Sequence, residues 1–123
     1  MNETAFKANQ LEKRLIAFAA AIVSVSSKLP KTAAARHIAS QVLRSGTAAA
    51  SNYGEARGAE SRADFMHKLK IVLKELNETT IWLEIIAESS MLSAEMIFAL
   101  VAENRELCRI VAASIKTARS STE

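Results

Sequence analysis

Three groupings of residues have types and spacings that could do chemistry. Glu75 with Glu78, and Glu84 with Glu88, pair carboxylates at intervals that a helix brings onto one face, as general acid and base work would require. His37, His67 and Cys108 are the side chains best suited to holding a transition metal. The stretch SNYGEARGAESRADF, residues 51–65, sets Gly54 and Gly58 ahead of a Ser-x-x-Asp pattern and raises the question of a phosphate-cradling loop.

None of the three meets the full requirement of its chemistry. A phosphate loop needs a strand, two glycines with four residues between them and then Lys-Ser/Thr; here three residues separate the glycines, no Lys-Ser/Thr follows and no strand precedes. The dinucleotide pattern Gly-x-Gly-x-x-Gly is absent as well. No His-x-x-x-His, Glu-x-x-His or Cys-x-x-Cys pair puts two metal ligands on one helical face. The carboxylate pairs read as the solvated side of a helix, with Lys74 placed to pair weakly with Glu78. The serines lack a Gly-x-Ser-x-Gly elbow, and Cys108, within ENRELCRIVAA, reads as a small apolar helix residue with a reduced thiol. The sequence therefore predicts no catalytic residues, no metal and no cofactor.

The elements that carry these residues are helical. Half of the 123 residues are hydrophobic, yet only one Trp, one Tyr and four Phe are present, with three Gly and one Pro. This length suits one domain over residues 1–123. From Leu11 the apolar positions Leu11, Leu15, Phe18, Ile22, Val25 and Leu29 repeat at intervals of four and three, which places one seam along a helix that Pro30 ends near Lys28. Thr32 is placed to cap a second helix built from small residues, in which Gly46 and Gly54 imply close packing. The third helix carries Phe65, Leu69, Val72, Leu76, Leu83 and Ile86, with Thr79 filling the one gap, and Ser61 and Asp64 form a short-armed capping box at its start. Gly58 is expected to turn the preceding corner in a left-handed conformation. Ser93 is placed to cap a fourth helix carrying Ile97, Leu100, Val101, Leu107, Val111 and Ile115, and the tail RSSTE is expected to fray. These features predict an all-α, antiparallel, up-down-up-down four-helix bundle with helices over roughly 5–28, 33–57, 61–88 and 94–119.

The longest uncharged stretch, residues 15–27, is too short and too rich in Ala and Ser to span a bilayer, and no secretory signal opens the chain, so the expected compartment is the cytoplasm. Two surface features remain. With Phe65 at zero, Ile71, Trp82 and Ile85 project at about 240°, 260° and 200° from the third helix, a face that a lone bundle would leave in water and that points to self-association. Asn52 and Glu55 are polar candidates for the same contact. Beside that face, His67, Lys70 and Lys74 form a basic stripe. With Arg57 and Arg62 at one end, and Arg44, they are the candidate nucleic-acid contacts of a chain whose net charge is +3.

Residues 43–86 resemble the bacterial four-helix-bundle proteins encoded in intervening sequences of 23S rRNA genes, the S23 family. The matching residues are densest in Arg44-Ser45-Gly46-Thr47, Ser51-Asn52, Glu55-Ala56, Ala59-Glu60-Ser61, Asp64-Phe65, His67-Lys68-Leu69, Lys74-Glu75, Glu78-Thr79 and Trp82-Leu83. The resemblance implies an antiparallel four-helix bundle assembling as a ring-like homopentamer, which would use an apolar face such as Ile71, Trp82 and Ile85. It also brings in a relative from diversity-generating retroelements, the accessory variability protein, a basic pentamer that binds nucleic acid and a reverse transcriptase. The expected function is thus a non-enzymatic, oligomeric scaffold or accessory factor whose first partner is itself. A nucleic-acid-binding module is the alternative, with a protein partner also open and no membrane role.

Overall fold

The computed structural model describes residues 2–120. Its helices are α1 (Glu3–Lys28), α2 (Ala33–Arg57), α3 (Arg62–Glu88) and α4 (Ala94–Ser120), so every expected helix is present with its ends shifted by two residues or fewer. α1 begins earlier than the apolar pattern suggests because Asn2 caps it, its Oδ1 accepting from the Ala5 amide at 2.8 Å. Its end falls where Pro30 dictates, with Leu29 extended at φ −68°, ψ 152°. Thr32 and Ser61 cap α2 and α3, accepting from the amides of Ala35 at 3.1 Å and Asp64 at 3.0 Å. α4 continues through Ser120, so Arg119 and Ser120 of the tail expected to fray are helical; the rest of that tail, residues 121–123, lies outside the described residues.

The corners differ from expectation in which residue turns left-handed. Gly58 has φ −97°, ψ 11°. There the chain tightens instead, the amides of Gly58 and Ala59 bonding to the carbonyls three residues back, which satisfies the helix end without a left-handed residue. The positive φ belongs to Ser90, at 55°, between α3 and α4. The Met91 amide bonds to the Ile86 carbonyl across that turn at 3.2 Å, the longer closure of a Schellman-type end.

The helices run antiparallel in an up-down-up-down bundle. α2 and α3 share the most extensive interface, followed by α3 with α4 and α1 with α2; α1 and α4 touch least, and α1 and α3 lie diagonally apart. All six residues of the α1 seam are buried, as are Leu69, Val72, Leu76, Thr79, Leu83 and Ile86 of α3, while Phe65 is half-buried. The small residues of α2 set the spacing. A Cβ on Gly46 would lie 2.8 Å from Ile22 Cγ2, so a glycine is required where α1 and α2 approach. Gly54 is exposed and a Cβ there would meet only Glu12 Oε2 at 3.8 Å, so close packing does not explain it.

Two polar links cross the buried interior. Thr79 Oγ1 donates to the Glu75 carbonyl at 2.7 Å and lies 2.8 Å from Ser45 Oγ of α2. Asn104, fully buried on α4, accepts from Thr80 Oγ1 at 2.9 Å and Cys108 Sγ at 3.4 Å, and its Nδ2 has no partner among the described residues.

Candidate interaction surface

The register of α2 against α3 is fixed by four cross-pairs: His37 with Trp82, Arg44 with Glu75 and Glu78, Ser45 with Thr79, and Glu55 with Lys68. In that register Ile71 of α3 lies level with Asn52 of α2, near the Glu55 and Lys68 pair, while Trp82 stands farther along the interface beside His37.

Trp82 is not left in water. It is half-buried against the core, its ring meets His37 edge to face with centroids 6.0 Å apart, and its Nε1 donates to Glu78 Oε2 at 3.0 Å. The small residues of α2 allow α3 to approach closely enough for an edge residue to pack at the seam. Ile71 and Ile85 are likewise half-buried. The fully presented apolar residue of α3 is Ile81, 56% exposed, which projects on the side of Lys70 and Lys74 and was not singled out from spacing. Asn52 Nδ2 donates to the Ala48 carbonyl at 2.9 Å within its own helix, and Glu55 pairs with Lys68 at 2.8 Å, which raises the lysine above its ordinary range through that hydrogen bond and charge.

The six candidate nucleic-acid contacts do not form one surface. Arg44 reaches across to α3, pairing with Glu78 and, at 3.2 Å, with Glu75, so Glu78 is taken by Arg44 and not by Lys74. Arg57 points the other way, donating to Asn9 Oδ1 and Glu12 Oε1 of α1 at 2.7 Å each. Arg62 sits at the start of α3, on the wall of a cavity that it shares with Arg57. His67, Lys70 and Lys74 do share an exposed face of α3, and no ion pair joins either lysine to an acid among the described residues.

Other groups with chemical potential are occupied structurally. Glu84 pairs with Arg105 at 3.2 Å and Glu103 with Arg14 at 2.7 Å, the latter bond raising the guanidinium further. Burial pushes the Cys108 thiol up. Among the described residues no three His, Cys, Asp or Glu side chains gather as metal ligands, and no helix is long and apolar enough to cross a membrane. Sequence reasoning also missed Phe98, 75% exposed at the start of α4, and Ile16 and Val23 of α1, 56% and 49% exposed. The last two were detectable, since they follow the buried Leu15 and Ile22 at the same seven-residue interval.

Fold and surface together define an antiparallel four-helix-bundle protein with its apolar and basic residues displayed on helix faces. The chain belongs to the 23S rRNA-intervening sequence protein family, whose sequence profile matches residues 7–113. It is similar to a crystal structure, at 1.70 Å resolution, of a protein of unknown function from the S23 ribosomal protein family of Bacteroides thetaiotaomicron VPI-5482. The two are 33% identical with a TM-score of 0.82, over 89% of this chain and 98% of that one. No curated protein matches the chain.

Proposed function

We propose that this is a non-enzymatic oligomeric protein, a ring-like homopentamer acting as a scaffold or accessory factor in the cytoplasm. The observation that carries the reading is Ile81, 56% exposed one turn before the half-buried Ile85 on α3. A ring is built from head-to-tail contacts, so each subunit needs two different complementary surfaces. Ile16 and Val23 supply a second exposed apolar face on α1, the helix diagonal to α3. Light scattering and native mass spectrometry test this: the expected mass is five times the 13.3 kDa of the chain, and Ile81→Glu is expected to shift it toward one. A strict monomer at micromolar concentration overturns the reading.

A second reading, nucleic-acid binding, is favoured by the exposed Lys70 and Lys74, which no acid neutralises among the described residues. Five-fold repetition would multiply a weak phosphate affinity. Binding that falls steeply with salt and is lost in a Lys70→Glu, Lys74→Glu variant supports it; binding indifferent to both excludes it.

A further inference from the structure

At the end of the bundle where α1 and α3 begin and α2 finishes lies a cavity of about 540 Å³. Its wall includes Asn2 and Thr4 of the α1 start, Ser61 and Arg62 of the α3 start, and Tyr53 and Arg57 of the last turns of α2. α1 and α3 run in the same direction, so the positive ends of two long helix dipoles meet here. In each, the cap side chain takes one amide, and the cap carbonyl takes the next, from Phe6 at 3.1 Å and Phe65 at 2.9 Å. The amides ahead of these have no carbonyl of their own helix to reach.

A second observation is independent of the helix ends. Tyr53 is only 5% exposed, its side chain lines this cavity, and its hydroxyl makes no hydrogen bond among the described residues. The hydroxyl oxygen is not sealed in the core but reaches open space where the residue lines the cavity, placed to meet a group bound there. Burial pushes the Tyr53 phenol up, outweighing the opposing pull of Arg57, so it remains a protonated donor throughout the neutral range. The charged groups of the wall are Arg57, held by Glu12 at 2.7 Å, Arg62, which has a partner of its own, and the acid Glu60.

Such a set of donors calls for a ligand group made of acceptors. A phosphodiester follows a surface, whereas a recess at a bundle end takes a terminal group. We propose that this cavity binds the phosphate of a phosphate monoester, with the Tyr53 hydroxyl donating to one oxygen and the α1 and α3 amides to the others. The proposal is independent of the oligomer and of the Lys70 and Lys74 face.

Calorimetry on the full chain tests it with three probes: inorganic phosphate, and one short single-stranded RNA carrying either a 5′-phosphate or a 5′-hydroxyl. Response to inorganic phosphate assigns the site to free phosphate, and an RNA preference of about tenfold or more for the 5′-phosphate assigns it to a strand end. Either result supports the proposal, provided that Tyr53→Phe reduces it by about tenfold while leaving the melting temperature unchanged or higher, as loss of an unpartnered hydroxyl should. Equal binding of the two strands with no response to inorganic phosphate overturns it. So does a response that survives Tyr53→Phe. The Lys70→Glu, Lys74→Glu variant separates this site from the basic face, because it is expected to weaken both strands equally and leave their ratio intact.

Discussion

At the scale of single residues, the two glycines of α2 have opposite roles. Gly46→Ala would drive a Cβ into Ile22, a buried branched side chain with no free end to swing away, and is expected to cost about 1–3 kcal/mol. Gly54→Ala meets open space and removes a helix-weakening residue, so it is expected to stabilise by about 0.5–1 kcal/mol. Thermal and urea denaturation of the pair checks both signs, and a stabilising Gly46→Ala would show that α1 and α2 are not held at this distance. Composition identified both positions as unusual, but only the partner helix distinguishes them. Asn104 was illegible for the same reason: it occupies a core position between Val101 and Leu107, and a polar residue there reads as surface until Thr80 and Cys108 are seen to converge on it. Cys108 yields a pH-dependent expectation. Because burial holds its thiol above the usual range, less thiolate exists at mildly alkaline pH than in the unfolded chain. Alkylation should be slower native than denatured, and the gap should narrow as pH rises through the raised value.

At the scale of elements, the helices were legible because a single period, a proline and capping residues all agree. Ser61→Ala is expected to cost about 0.5–2 kcal/mol by removing the acceptor for the Asp64 amide, measured as a shift of the denaturation midpoint. The left-handed corner was misassigned because glycine is only the commonest residue there. At residues 57–59 the chain closes by shorter bonds, while Ser90 bears the positive φ that leads into α4. The candidate surface was legible in part. Trp82, Ile71 and Ile85 were recognised from their angles on α3, but their distance from water depends on how close α2 lies, which one helix's periodicity does not contain. The six candidate nucleic-acid contacts divided for a similar reason, since Arg44 and Arg57 project from opposite sides of α2 toward acids that only the packed neighbours supply, while the stripe of His67, Lys70 and Lys74 stayed whole.

For the whole molecule, the uneven sharing of contact among the helices has a consequence in time. Nearly all of the packing joins helices adjacent in sequence, and the α1 and α4 seam that closes the bundle is the least extensive, linked by the Arg14 and Glu103 pair. Few long loops must therefore be closed before burial begins, which favours fast folding. The bundle should also open unevenly, from the seam inward. Native-state hydrogen exchange is expected to find the slowest amides in α2 and α3, around Ser45 and Thr79, with α1 exchanging through a smaller opening that leaves the α2–α3 pair intact. Uniform protection across all four helices would show that they rise and fall as one cooperative unit.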